Sequence, residues 1–288
     1  MKRFLIGLIA SAGLAATLAS AQTAPNTLGR IKAAKAINVA VSADALPFSF
    51  SGADTKNLPV GYSIDLCKRV IAQIGRAVGE PDLKVNWING TTPARLQMVA
   101  EGKADLECAN TTQTLARLAN VDFSNLIFID AAGMVVRNDS PINRIADLEG
   151  KRIAVLRGTT TETRLSGMLQ SQSIKASVVQ VDTPAAAMAL LDSGGADAFA
   201  NDKIRLVGLV AQAKNPKDYA MLAEEFSYEP YAFALPRGDS ALRLEVNRAL
   251  TQVYVTPELE KIFTEWLGVF GRPTGLLAAM YLLNSIPD

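Results

Sequence analysis

Three short stretches of the chain gather the residue types that hold small charged molecules. ANTTQT (109–114) offers Asn110, Thr111 and Thr112, with Arg117 shortly after. RGTTTE (157–162) offers Thr159 and Thr160, and ANDK (200–203) offers Asp202. Threonine hydroxyls and free amides at helix starts suit an anion, an arginine can fork onto a carboxylate, and an aspartate accepts from a cation. An anion receptor and a cation receptor facing across one cleft describe a site for a zwitterion, and a free α-amino acid is the simplest occupant. Taken singly, each residue has a plainer role: Thr at a helix start is a cap, Arg117 a solvated side chain, Asp202 a turn residue.

The reason to take them together is a repeat. GKADLECAN (102–110) and GGADAFAND (194–202) share a Gly-x-Ala-Asp phrase 92 residues apart, which puts Asp202 where Asn110 stands in the first copy. Strand and helix patterns alternate around both copies. INVAVSA (37–43), DLKVNWI (82–88), RIAVLR (152–157) and SVVQV (177–181) read as strands; DLCKRVIAQIGRAVG (65–79), the run from Thr92 and Pro93 to Gly102, and GTTTETRLSGML (158–169) read as helices. This order predicts an α/β fold of two similar lobes, each a mostly parallel sheet flanked by helices. Ligands of open parallel sheets bind outside the carboxyl ends of the strands, which is where all three polar stretches fall.

Bulk composition narrows the chemistry. The 288 residues include no histidine, which excludes Ser-His and Cys-His nucleophile pairs, the commonest general base and most zinc sites. Residues 1–21, MKRFLIGLIASAGLAATLASA, have the build of a signal peptide cleaved before Gln22, and the residue directly after that cut is not a cysteine that could carry a lipid anchor. Without Lys2 and Arg3 the 29 Lys+Arg become 27 against 28 Asp+Glu. That balance gives no reason to seek nucleic acid. Cys67 and Cys108 either form a disulfide, as an exported chain allows, or stay as two buried thiols.

GYSIDLCKRV (61–70), RLQMVAEGKADLECANTTQTLARLANVDFS (95–124), DLEGKRIAVLRGTTTE (147–162), GADAFANDK (195–203) and EPYAFALPRGD (229–239) together resemble the polar amino-acid-binding proteins of bacterial ABC transporters. The likeness runs from about Ile37 to Gly268 and is greatest to the glutamate/aspartate-binding branch. It implies a type II, Venus-flytrap periplasmic binding protein: signal peptide 1–21, first lobe 22–132, second lobe 133–230, and a return to the first lobe over 231–288. Crossings near Ile129–Val135 and Tyr228–Phe233 would form the hinge. By this resemblance Arg117 holds the α-carboxylate with help from Thr112 and Thr160, with Thr159 beside them among the expected ligand-binding residues. Asp202 and the Asn110 carbonyl take the α-ammonium, Phe48 lies against the aliphatic part, and Arg95 lies near the ligand side chain. Ser42, and Pro184 or Ala185, stand where members with acidic ligands tend to carry basic residues.

The resemblance further implies a monomeric periplasmic receptor that hands glutamate, aspartate or an amide of these to a membrane permease, with no cofactor or metal. Two other readings share the fold. One is a cyclohexadienyl dehydratase-like enzyme, for which Glu107, Asp202 and Glu162 are the candidate acids; the other is a soluble sensor component. The apolar tail GRPTGLLAAMYLLNSIPD (271–288) is expected to pack back onto the first lobe.

Overall fold

Local signals account for the first elements in order. In the computed structural model, which describes residues 26–287, Asn26 caps α1 (Thr27–Ala34) by accepting from Gly29 N. The proposed signal peptide lies outside the described residues. The chain continues through β1 (Ala36–Val41), a small hairpin of β2 (Asp44–Ala45) and β3 (Ser49–Phe50), and α2 (Tyr62–Val78). Helix α2 buries Ile64, Cys67, Val70, Ile71 and Ile74 at helical spacing and stops at Gly79, whose φ of 75° suits a residue without Cβ. Next come β4 (Lys84–Asn89), α3 (Thr92–Ala100) with Pro93 in its first turn, β5 (Leu106–Glu107), α4 (Leu115–Leu118) and β6 (Val121–Asp130).

A single residue, Ala131, separates β6 from β7 (Ala132–Arg137), which belongs to a different sheet. The second unit then adds β8 (Arg152–Leu156), α5 (Thr160–Ser171), β9 (Ser177–Val181), α6 (Pro184–Asp192), β10 (Ala198–Asp202), α7 (Lys203–Gln212) and β11 (Tyr219–Met221). The chain crosses back before β12 (Glu229–Pro236) and ends in α8 (Ser240–Tyr254), α9 (Glu258–Leu267) and α10 (Gly275–Leu283).

The two five-stranded sheets have the orders β4-β1-β5-β12-β6 and β11-β7-β10-β8-β9. Their helix-connected strands are parallel: β1 with β4 and β5, and β8 with β9 and β10. The remaining pairs, β12 with β5 and β6, and β7 with β10 and β11, are antiparallel. The sheets are therefore mixed rather than mostly parallel. The crossing strands enter from the other sheet instead of being returned by a helix, so nothing forces them to run parallel.

The first sheet carries the larger core, centred on Phe48, Tyr62, Phe128 and Tyr231. In the second sheet alternate residues face opposite ways, Ile153 and Val155 toward one apolar layer and Ala154 toward the other. The tail packs back onto the first sheet. Helix α10 buries Leu277, Met280 and Tyr281, the Tyr281 hydroxyl lies 2.6 Å from that of Tyr62, and Asn284 Oδ1 accepts from Leu126 N at 3.0 Å. Among the described residues no helix is long and apolar enough to cross a membrane.

Candidate ligand-binding site

The loop that follows β5 is pinned at several points. A disulfide joins Cys108 to Cys67 of α2, Thr111 O accepts from Ala232 N (3.1 Å), and Gln113 N donates to Pro230 O (2.8 Å). Opposite it, Asp202 closes β10 and precedes α7, while Thr159 caps α5 by accepting from Glu162 N. These facing edges touch. Asn110 Nδ2 donates to Asp202 Oδ2 at 3.2 Å, and the hydroxyls of Thr112 and Thr160 lie 3.3 Å apart. The two matching positions of the repeated phrase therefore meet across the cleft.

The walls approach closely enough to require a glycine. Gly158 has a φ of 72°, and a Cβ there would lie 2.5 Å from Pro93 Cγ in the opposite wall. On either side of the contact the cleft opens into a cavity. One, of about 510 Å³, is lined by Ser42, Asp44, Arg95, Asn110, Thr159 and Arg205 among others. The other, of about 640 Å³, includes Thr112, Arg117, Thr160, Arg164 and Glu229 in its walls.

Three charges in this region lack an ionic partner among the described residues: Arg117, Asp202 and the fully buried Glu229. Arg117 Nη1 donates to Thr112 O at 2.6 Å, but among the described residues no carboxylate lies within 4.0 Å of its guanidinium. Burial pushes the Arg117 guanidinium below its ordinary value, opposed by the negative charges of Glu107 and Glu229. Asp202 is 6% exposed and accepts from Tyr231 OH (2.5 Å), Thr161 Oγ1 (2.9 Å) and Asn110, again with no cation within 4.0 Å among the described residues. Desolvated charges of opposite sign are costly unless met. A molecule bearing both signs meets both.

Behind Asp202 stands a second buried carboxylate. Asp130 accepts from Ala131 N (2.9 Å) and Ile204 N (3.2 Å), and its Oδ2 is 3.3 Å from the same Tyr231 hydroxyl. Burial, then the charge of Asp202, pushes its carboxyl up to about 8. Tyr231 has one hydroxyl hydrogen, so a protonated Asp130 completes the chain by donating to the tyrosine oxygen while Tyr231 donates to Asp202.

Several expected contacts are redirected. Phe48 is fully buried and packs edge-on against Phe128 and Tyr231, so it belongs to the core and not to the cavity wall. Arg95 lines the cavity, yet its Nε donates to Glu107 Oε1 (2.7 Å), Nη1 to Gly90 O (2.8 Å) and Nη2 to Thr92 and Thr111 hydroxyls (3.2 and 3.3 Å). Its charge is already cancelled by a fully buried carboxylate. Thr159 spends its hydroxyl on Leu156 O and its cap on Glu162 N.

The hydroxyls of Thr112 and Thr160 both donate to Glu229 Oε2, at 2.6 and 2.7 Å, and Ser227 Oγ donates to Oε1 at 2.6 Å. Sequence reasoning passed over Glu229. Its one signal was an acid opening an otherwise apolar strand, EPYAFAL. Arg205, buried in α7, was passed over as well. Of the acids considered for an enzyme, Glu107 pairs with Arg95 through Oε1 while its buried Oε2 has no hydrogen-bond partner among the described residues, Asp202 has three donors, and Glu162 accepts from Gly158 N at 2.7 Å.

Comparison with known proteins adds three findings. The family described as bacterial extracellular solute-binding proteins, family 3, matches residues 37–269. The chain is 31% identical to an L-glutamate/L-aspartate-binding protein of Pseudomonas aeruginosa over 277 residues, covering 95% of this chain and 91% of that protein. Among solved structures it is similar to an ancestral arginine-binding protein bound to glutamine (TM-score 0.72, 28% identity, 81% and 98% of the two chains). It is also similar to an ancestral amino acid-binding protein described as a precursor of cyclohexadienyl dehydratase (TM-score 0.71, 26%, 83% and 98%).

Proposed function

The chain belongs to the bacterial extracellular solute-binding proteins, family 3, and on that premise we propose that it captures a polar L-amino acid between two lobes and delivers it to an ABC transporter permease. Glutamate, aspartate and their amides are the ligand class, in keeping with the name of the Pseudomonas aeruginosa relative. The protein works as a monomer in the periplasm, after removal of residues 1–21. Its lobes span 22–132 with 231–288, and 133–230.

The observation that carries this reading is that Arg117 and Asp202, of opposite sign and without ionic partners among the described residues, stand where the two walls meet. The α-carboxylate takes the free edge of the Arg117 guanidinium and N–H groups of the first turn of α5, which have no helical partners. The α-ammonium takes Asp202 and Asn110. Thr112 and Thr160 act through Glu229, which their hydroxyls tie to both walls. Ligand contacts made only when the walls meet shift the population toward the closed form, which the permease recognises. No chemical step is assigned, because each candidate acid is held in a hydrogen-bonded pair or cap.

The test is calorimetric titration of refolded, ligand-stripped protein with L-glutamate, L-aspartate, L-glutamine and L-asparagine. Saturable binding of at least one is expected. Absence of binding by all four, with turnover of prephenate or arogenate instead, would replace this reading by the dehydratase one.

A further inference from the structure

Arg205 is a buried cation in the cleft whose partners do not suffice for it. It stands one helical turn beyond Asp202 in α7 and is 6% exposed. Its Nη2 donates to the backbone oxygen of Asp44 at 3.3 Å, while the Asp44 carboxylate is 3.7 Å away, too far for a hydrogen bond, and its side chain is 49% exposed. The Nε of Arg205 is buried with no hydrogen-bond partner among the described residues. A guanidinium only donates and keeps its charge at any relevant pH, so an unmet buried N–H calls for an anionic acceptor.

The cavity that Arg205 lines also reaches Asn110, which is bonded to Asp202. Asp202 itself lies behind that bond, so a ligand whose ammonium parts it to rest on Asn110 and Asp202 can reach with its side chain the space that Arg205 borders. Asp202 ends β10 and Arg205 lies three residues on, in the first turn of α7, so both side chains come from the same junction of strand and helix. Arg95 borders the same cavity, but Glu107 already neutralises it. Ser42, in the same wall, brings only a hydroxyl, and that donates to Asp44 Oδ1 at 3.0 Å.

We propose that Arg205 recognises the ligand side chain and selects a carboxylate over a carboxamide, the carboxylate taking the Nε and Nη2 edge and displacing Asp44. This rests on the amino-acid-receptor reading and names the ligand within its class: an acidic amino acid. A carboxamide offers one oxygen and brings two N–H donors toward a group that only donates.

The experiment titrates ligand-stripped wild type, Arg205→Gln, Arg205→Lys and Asp44→Asn with L-glutamate and L-glutamine, with the melting temperature of each variant recorded. Wild type prefers glutamate. Arg205→Gln weakens glutamate by about 30-fold or more, the loss seen when one partner of a buried charge pair is removed. It changes glutamine by less than about threefold, well inside the effect of a lost charged partner. Arg205→Lys falls between, because an ammonium lacks the fork. Asp44→Asn, at a half-exposed position that folds without difficulty, strengthens glutamate by removing the competing carboxylate, a gain that a merely structural Asp44–Arg205 contact would not produce. Equal losses for both ligands in Arg205→Gln, or a weaker glutamate affinity in Asp44→Asn, overturn the proposal. A wild type that binds glutamine but not glutamate overturns it and leaves the receptor reading standing; one that binds no amino acid removes both.

Discussion

The two ends of the cleft treat arginine in opposite ways. Arg95 is closed off: Glu107, Gly90, Thr92 and Thr111 take four of its five N–H donors, and its charge is cancelled within the first unit. Arg117 gives a single bond to a carbonyl and keeps its charge. Both residues sit in the same polar neighbourhood and have the same chemistry. What separates a ligand-binding arginine from a structural one is whether the fold has already supplied its counter-ion.

Substitution at the two arginines is the strongest way to break this contrast. Arg117→Ala is expected to cost about 3–5 kcal/mol of ligand binding, more than 100-fold in Kd, with little change in melting temperature. Arg95→Met leaves Glu107 buried and unpaired, and should cost about 3 kcal/mol of folding stability, roughly 10 °C in melting temperature, whichever amino acid is bound. Calorimetric titration and thermal unfolding of both variants check the pair of outcomes. Loss of affinity without loss of stability in Arg95→Met would erase the distinction.

A weaker effect, of up to about 1.4 kcal/mol per pH unit, comes from Asp130 behind the ammonium site. Its carboxyl is raised to about 8 in the folded protein. Folded protein therefore keeps a proton that the unfolded chain loses near its ordinary value of about 4, so this group's contribution to stability is full below that value and is lost as pH rises through about 8. The groups that face it are Asp202, Tyr231 and the amides of Ala131 and Ile204. An ammonium brought to Asp202 favours ionised Asp130, so binding expels a proton and affinity should rise from pH 6 to pH 8, by at most about tenfold per unit. Titrations at three pH values on wild type and Asp130→Asn check this. The variant should lose the slope.

The smallest expected effect is at the approach of the walls. Gly158→Ala places a Cβ at a positive φ and against Pro93, costing about 1 kcal/mol and about fivefold in affinity through incomplete closure. A scattering comparison of the variant with and without saturating ligand should show less compaction than in wild type. Unchanged compaction and affinity would mean that Gly158 does not limit closure.

Much of the architecture was legible because alternation of strand and helix patterns survives in the residues themselves. The mixed direction of the sheets was not, since a strand's apolar pattern is the same whether its neighbour runs with it or against it. The repeat led directly to Asn110 and Asp202, because equivalent strand ends in two similar units meet at the cleft. Phe48 and Arg95 have the right types for ligand contact, but their assignment depends on neighbours far along the chain, Tyr231 and Glu107, that spacing does not reveal. Arg205 hides for a simpler reason. In KIRLVGLV a single arginine among apolar residues reads as the solvated face of an amphipathic helix, and only the approach of Asp44 from the other unit buries it.

The most direct test of the zwitterion site compares L-glutamate with glutarate, which keeps both carboxylates and lacks the ammonium, by calorimetric titration of the same ligand-stripped protein. With Asp202 meeting a cation, glutarate should bind at least about 100-fold more weakly, since it leaves a buried carboxylate unpaired and sets a hydrocarbon against it. Equal affinity for the two would contradict the assignment of Asp202, and with it the reading of the cleft as an amino-acid site.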